Sequence, residues 1–191
     1  MAVSNHTCVG DFLLLYRQPR RYTHLIHAAV PARGGNHRVR FAPATPAAFK
    51  ALRRQAQRAA EKGTSGEELR PVHLFPEGGM TSGGGLLRFS RGFALLRCPV
   101  VPVAFRCRHA FGLSTHTLTS SFGANLLALC FAPWTTLSAT VLPPMAPAPS
   151  ESDEAFAERV REAIASELSV PLLDIGIKDK YALKEAARAL R

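Results

Sequence analysis

A chain of 191 residues, 47% of them hydrophobic, suits one domain around one core and excludes a second of comparable size. Its four cysteines, Cys8, Cys98, Cys107 and Cys130, have neither zinc-ligand spacing nor the density of a secreted disulfide framework, which excludes both and reads as a reduced, intracellular-facing protein. The formal net charge of +10 lies entirely within residues 1–110 and draws in anions: nucleic-acid phosphates, acidic lipid head groups or a phosphorylated small molecule.

In chain order, residues 2–5 predict a short strand, and the carboxylate of Asp11 ahead of "FLLLYRQ" predicts a helix after a turn. The run "FLLLY" at 12–16 is too short for a signal peptide and follows an acidic residue. "YTHLIHAAV" at 22–30 suits a strand or a helix, and the basic stretch "PARGGNHRVRFAPATP" after it reads as loop. Thr45-Pro46 opens a helix with Phe49, Leu52 and Ala56 on one face. "RPVHLF" at 70–75 and "PVVPVAFRC" at 99–107 predict strands on either side of a glycine-rich loop.

From His109 to Ser150 there is no Asp, Glu, Lys or Arg, so this segment is expected to be deeply buried or to lie beside a membrane. No segment approaches the roughly 20 apolar residues of a membrane span. "ANLLALCFAPW" at 124–134 predicts a short apolar helix and "LSATVLPP" a strand, followed by a stiff linker in "PPMAPAPS". "SDEAFAERVREAIASEL" then predicts an amphipathic helix with Phe156, Val160, Ile164 and Leu168 spaced by four. A last helix is expected at 179–190. Together these elements predict an α/β fold, a mixed sheet flanked by helices, with a body over 1–143, a linker at 144–150 and C-terminal amphipathic helices over 151–191.

His6 and Asp11 in "NHTCVGD" stand five positions apart across a predicted strand-to-helix turn. A neutral imidazole accepts a proton from a hydroxyl, and a carboxylate on its other nitrogen sets the tautomer and stabilises the imidazolium. A surface histidine beside a helix-capping aspartate gives the same pattern. "HLFPEGGMTSGGGLLRFSRG" at 73–92 ends a strand in a Pro-Glu-Gly turn but lacks the Gly-Lys-Ser/Thr of a nucleotide P-loop, so Gly83, Gly84 and Gly85 read as a flexible connector. His73 reads as a packed or solvent-facing strand residue.

The order His6-x4-Asp11, then Phe75-Pro76-Glu77-Gly78, then Val100-Val101-Pro102-Val103 resembles the glycerolipid acyltransferases. Those enzymes transfer fatty acyl groups from acyl-CoA to glycerophosphate or lysophospholipid hydroxyls. The continuation "GGLLRFSRG" and the later "FAERVREAIASEL" look most like the ancient ubiquitous protein branch and the nearby lysophosphatidylcholine acyltransferases. The resemblance implies His6 as general base, oriented by Asp11, with no metal and no covalent enzyme intermediate. It implies an acceptor site shaped by Phe75, Pro76, Glu77, Gly78 and Thr81, with oxyanion donors in the Gly78-Gly79 turn and phosphate held by Arg88 and Arg91. It also implies acyl-CoA as co-substrate with no other cofactor, an anionic membrane surface as partner, and residence at the cytosolic face of endoplasmic reticulum or lipid droplets.

Two departures stand out. Met80 occupies a position where the family often has an arginine credited with phosphate binding, which favours an acceptor with a capped phosphate unless Arg88 and Arg91 supply the charge. The family's second block has no counterpart in "GGNHRVRFAPAT", and relatives carry membrane-embedded sequence upstream, so an N-terminally truncated member is expected. A non-catalytic membrane scaffold on the same fold is the first rival. A nucleic-acid-binding module is the second, weakened by the absence of aromatics among the basic residues; no nucleic-acid partner is expected.

Overall fold

The computed structural model describes residues 1–11, 22–26, 39–43, 45–61 and 72–190. Among these, six strands form one sheet: β1 Ala2–Ser4, β2 Tyr22–Ile26, β3 Val39–Pro43, β4 Val72–Leu74, β5 Val101–His109 and β6 Thr135–Val141. The order is β3-β2-β4-β1-β5-β6. The first five strands run parallel and β6 returns antiparallel along β5, which is the mixed sheet expected. Among the described residues four α-helices accompany it: α1 Pro46–Glu61, α2 Phe122–Phe131, α3 Asp153–Leu168 and α4 Ile177–Ala189.

Side chains alternate between the two faces of the sheet. Val3, Leu74, Val100 and Ala104 join Phe93 and the α3 residues Phe156, Val160, Ile164 and Leu168 in the main core, with Phe49 and Leu52 of α1 packed against it. Ala2, Val103 and Phe105 cluster with Phe75 and Val101 on the opposite side. Helix α3 therefore buries the stripe its spacing predicts, each such side chain worth about 1.5–3 kcal/mol. Its start is set by Ser152, whose Oγ accepts the Ala155 N–H at 3.1 Å, and by Asp153 and Glu154 in the first turn. Ser169 ends it in the left-handed region at φ 55°.

Several elements differ from expectation. The basic stretch read as loop contains β3, which pairs with β2 over five residues, Tyr22–Val39 to Ile26–Pro43; pairing with a neighbour, not local propensity, makes it a strand. Pro102 lies inside β5 because its carbonyl accepts from Leu142 at 2.9 Å on the β6 side. Its missing N–H points the same way, just short of Val103, where the β6 pairing starts. The Pro/Ala segment is tied down: Met145 exchanges two 2.8 Å bonds with Val100, and Arg97 donates to the carbonyls of Ala148, Pro149 and Glu151. The helix expected after Asp11 lies outside the described residues, as do residues 34–38 of the stretch set against the family's second block, the rest of which holds β3.

Candidate active site

In an open parallel sheet, ligands gather at the carboxyl ends of strands where the chain reverses its winding direction. Here the chain moves from β1 past β4 to β2, and later from β4 past β1 to β5. The reversal falls at the adjacent pair β1 and β4, whose ends deliver His6 and Phe75-Pro76-Glu77 side by side.

Asn5 makes the exit from β1 possible. Its buried amide donates to the Phe105 carbonyl at 2.8 Å and accepts the Phe105 N–H at 2.7 Å, imitating one more residue of strand while the backbone turns away. The turn then closes on Asp11, which is fully buried. Its carboxylate accepts the N–H groups of Thr7 and Cys8 and the hydroxyl of Thr7. It also accepts the Cys8 thiol at 3.2 Å. Hydrogen bonding to Cys107, then burial, pushes the pKa of Cys8 far up, so it remains a thiol donor.

The same carboxylate meets His6 Nδ1 at 3.0 Å. An ionised carboxylate only accepts, so Nδ1 carries the proton and Nε2 keeps its lone pair. Phe75 stacks on the imidazole at 4.0 Å with an interplanar angle of 9°, fixing the ring plane. The His6 side chain retains 22% exposure, and among the described residues no protein group bonds Nε2. The dyad read from sequence is assembled, with its basic nitrogen free.

The backbone of His6 is held from both sides. Its N–H donates to Glu77 Oε1 at 2.9 Å, and its carbonyl accepts from Thr81 N–H at 2.8 Å and Thr81 Oγ1 at 3.4 Å. Glu77 Oε2 accepts the Leu87 N–H at 3.1 Å. Burial raises the Glu77 pKa to about 7 against the two backbone donors and Lys180, which act the other way. Glu77 and Thr81 thus position the base, while Phe75 touches it directly. Pro76 is buried and its carbonyl accepts from Ser90 at 2.8 Å.

The glycines behave differently from expectation. Gly78, at φ +76°, closes the turn by donating its N–H to Phe75 O at 3.1 Å. That donor is consumed and cannot serve an oxyanion; among the described residues the Gly79 N–H has no protein acceptor. A Cβ on Gly79 would meet Ile177 Cδ1 at 2.8 Å, and one on Gly85 would meet Leu173 Cγ at 2.9 Å. The glycine loop expected as a flexible connector is a docking surface for the chain between α3 and α4, pinned by Leu173 N–H to Leu86 O at 2.9 Å and Leu86 N–H to Pro171 O at 3.0 Å. Arg88 ion-pairs with Asp174 in that same connection, and Arg91 with Glu154 in the first turn of α3. His73 is packed, fully buried, with Ser4 Oγ at 2.8 Å.

Three residues near the site were not anticipated. Lys180 of α4 donates to the Met80 carbonyl and reaches His116 Nε2 at 3.2 Å, while His116 Nδ1 lies 3.0 Å from the amide of buried Asn125. Burial, then Lys180 and His6, push the His116 pKa down to about 4, so it is a neutral acceptor. Among the described residues no cluster of His, Cys, Asp and Glu could hold a metal ion.

Comparison with known proteins accords with this geometry. The chain is 33% identical over 127 residues to the lipid droplet-regulating VLDL assembly factor AUP1 homolog of Caenorhabditis elegans, covering 65% of this chain and 32% of that protein. It is 31% identical over 144 residues to the lysophospholipid acyltransferase LPEAT1 of Arabidopsis thaliana, covering 68% and 36%. It is 30% identical over 122 residues to lysophosphatidylcholine acyltransferase 2 of Mus musculus, covering 62% and 22%. The chain thus spans about a third or less of the length of these relatives, and no solved structure matches it significantly. The family profile described as Acyltransferase matches residues 1–106, the stretch that carries the His6–Asp11 turn, the Glu77 clamp and most of β5, and the chain belongs to that acyltransferase family.

Proposed function

We propose that this chain transfers a fatty acyl group from acyl-CoA to the hydroxyl of a lysophospholipid or acylglycerol phosphate at a membrane surface. The observation that carries the reading is the His6–Asp11 pair: a tautomer set by a buried carboxylate, a ring plane set by Phe75, and a free Nε2. The acceptor hydroxyl gives its proton to His6 Nε2 as its oxygen attacks the thioester carbonyl, and Asp11 stabilises the imidazolium. Collapse of the tetrahedral intermediate breaks the C–S bond, and the CoA thiolate leaves with the proton from Nε2. Glu77 and Thr81 keep the imidazole from drifting, which matters because small displacements of a positioned base are costly.

Attachment to the membrane is supported by the charge-free segment. Phe111, Leu113, Phe122, Leu127, Phe131 and Trp134 are all exposed there, Phe131 at 81%, an apolar surface of the kind that marks an interaction site. No helix among the described residues is long and apolar enough to cross a membrane, so α2 would lie in the interface. Endoplasmic reticulum or lipid droplets are the proposed location, in keeping with the lipid-droplet relatives.

A non-catalytic scaffold is the second reading, favoured by the packing of Ile177 against the glycine turn and by the relatives named as assembly factors. Release of free CoA thiol by the purified chain, given acyl-CoA and lysophospholipid vesicles, separates the two. Release that depends on the acceptor and disappears in His6→Ala supports the enzyme; no release above the His6→Ala level supports the scaffold.

A further inference from the structure

Successive residues of a strand point to opposite faces, so Val101, Val103, Phe105, Cys107 and His109 share one face of β5. The first three pack with Phe75, whose ring stacks on His6. Cys107 and His109 therefore continue the dyad's face of the sheet toward the charge-free segment. Their partners on β6 are Leu137 and Thr135. A Cβ on Gly10 would meet Leu137 Cδ1 and Leu129 Cδ2 of α2 at 3.4 Å and Cys8 Sγ at 3.5 Å, so β6, α2 and the dyad turn converge beside Cys107.

Cys107 is half-buried, and its Sγ lies 3.3 Å from His109 Nε2. His109 Nδ1 is 2.9 Å from Thr135 Oγ1, and Thr115 Oγ1 is 2.9 Å from Nε2. Burial lowers the His109 pKa, so the ring is neutral and one nitrogen keeps a lone pair. With Nδ1–H donated to Thr135, that lone pair is on Nε2 and faces the thiol. Once Nε2 has taken the thiol proton, it donates to the thiolate or to Thr115 in turn. A hydrogen bond from Cys8 lowers the pKa of Cys107, against burial and Asp11. A nucleophile, a base within reach of it and a hydroxyl that orients the base form one unit. The other cysteines lack this arrangement: Cys8 donates to Asp11, burial raises the pKa of Cys98, and Cys130, exposed on α2, has no histidine partner among the described residues.

The pair lies next to an apolar surface. His109 is followed by Ala110, whose N–H donates to the Trp134 carbonyl at 3.1 Å, and by Phe111, whose ring meets that of Trp134 at 5.1 Å with both exposed. A long acyl chain carried on Cys107 would have apolar side chains within its reach.

We propose that Cys107, deprotonated by His109, is a self-acylation site that accepts a fatty acyl group from an acyl thioester. Sγ attacks the thioester carbonyl carbon as its proton passes to His109 Nε2. The bond from Sγ to the acyl carbon forms, the carbon–sulfur bond to CoA breaks, and the CoA thiolate leaves with the proton from Nε2. One thioester is exchanged for another, so no oxidant or reductant is consumed. This modification is separate from the transfer that His6 drives to an acceptor hydroxyl, and the attached chain adds to the hold of the charge-free segment on a lipid surface. The identity of the donor rests on the acyltransferase reading; the reactive pair does not.

The test is incubation of the purified full chain with radiolabelled palmitoyl-CoA and no acceptor, then treatment with hydroxylamine, which cleaves thioesters, and peptide mass spectrometry to locate the acyl group. Hydroxylamine-labile label on the Cys107 peptide is expected, and this readout needs no variant. Label only on another residue, or labelling of the urea-unfolded chain at the same rate, overturns the site. Cys107→Ala is expected to lose the label and Cys130→Ala to keep it, while His109→Ala slows labelling about 10²- to 10⁴-fold; an unchanged rate in His109→Ala overturns the assigned pair. Acceptor-dependent thiol release with no label on Cys107 overturns the modification and leaves the acyltransferase reading intact. A labelled Cys107 without acceptor-dependent release keeps the modification and removes the enzyme reading, and a chain that shows neither overturns both.

Discussion

The turn after β1 and the segment after β5 leave adjacent strands of one sheet and face opposite problems. Residues 5–11 bury polar groups, and each important one has a partner: Asn5 on Phe105, Asp11 on Thr7, Cys8 and His6. Residues 110–134 expose apolar groups such as Phe122, Leu127 and Phe131, and Phe111 and Trp134 meet each other at 5.1 Å while both stay exposed. Phe111 is 80% exposed and sits at φ 56°, a conformation that costs a bulky residue energy. The first region is rigid because an unpaired group there would cost about 1–3 kcal/mol. The second leaves large apolar side chains in water, which a lipid surface would cover.

Breaking the first region should have the largest effect. His6→Ala is expected to lower thiol release about 10²- to 10⁴-fold with the fold intact, since the side chain is partly exposed and Asp11, which loses its bond to Nδ1, keeps its Thr7 and Cys8 donors. Wild-type turnover in this variant would remove the dyad from the chemistry. Asp11→Asn should cost less turnover than His6→Ala. It should also destabilise the fold, because one carboxylate serves several donors and an amide NH2 cannot accept; a stable, inactive Asp11→Asn protein would show that Asp11 acts on the chemistry alone.

Breaking the second region should leave the first untouched. Leu126→Asp and Trp134→Ser are each expected to weaken co-sedimentation with anionic vesicles about 10-fold or more, from the loss of roughly 1.5–3 kcal/mol of apolar burial, while folding stays normal. Undiminished binding by both would take this segment out of the membrane contact.

The smallest effect sharpens the role of Glu77. Its pKa is raised to about 7 by burial, above the ordinary carboxylate value near 4.3. The folded state therefore holds a proton that the unfolded state releases, and this contribution to stability is full below about 4.3 and is lost as pH rises through about 7. Denaturant titrations should show the natural chain losing stability relative to Glu77→Gln across that window. A flat difference between the two would mean that Glu77 ionises in the fold as it does in water.

The legible parts of this site were those whose partners are close in sequence. His6 and Asp11 are joined by a single turn, so spacing and residue type were enough to pair them, and the four-residue rhythm of Phe156 to Leu168 was enough to define the buried face of α3. Glu77 was legible as part of the site through its turn, but its partners, the His6 and Leu87 N–H groups, were not.

What the sequence by itself determined is the local chemistry: a base and its carboxylate on one turn, a strand ending in Pro-Glu-Gly, an amphipathic helix, and a long stretch free of formal charge. Only the tertiary structure decided how distant pieces meet. It turned "VRFAP" into an edge strand by pairing it with β2, made Gly79 and Gly85 seats for Ile177 and Leu173, and drew Arg88 and Arg91 to Asp174 and Glu154. It brought Lys180 to the carbonyl of Met80 and to His116. The physical reason is that a hydrogen bond or a van der Waals seat depends on distance in space, and no periodicity or composition encodes which two residues a crossing sheet will place a few ångströms apart.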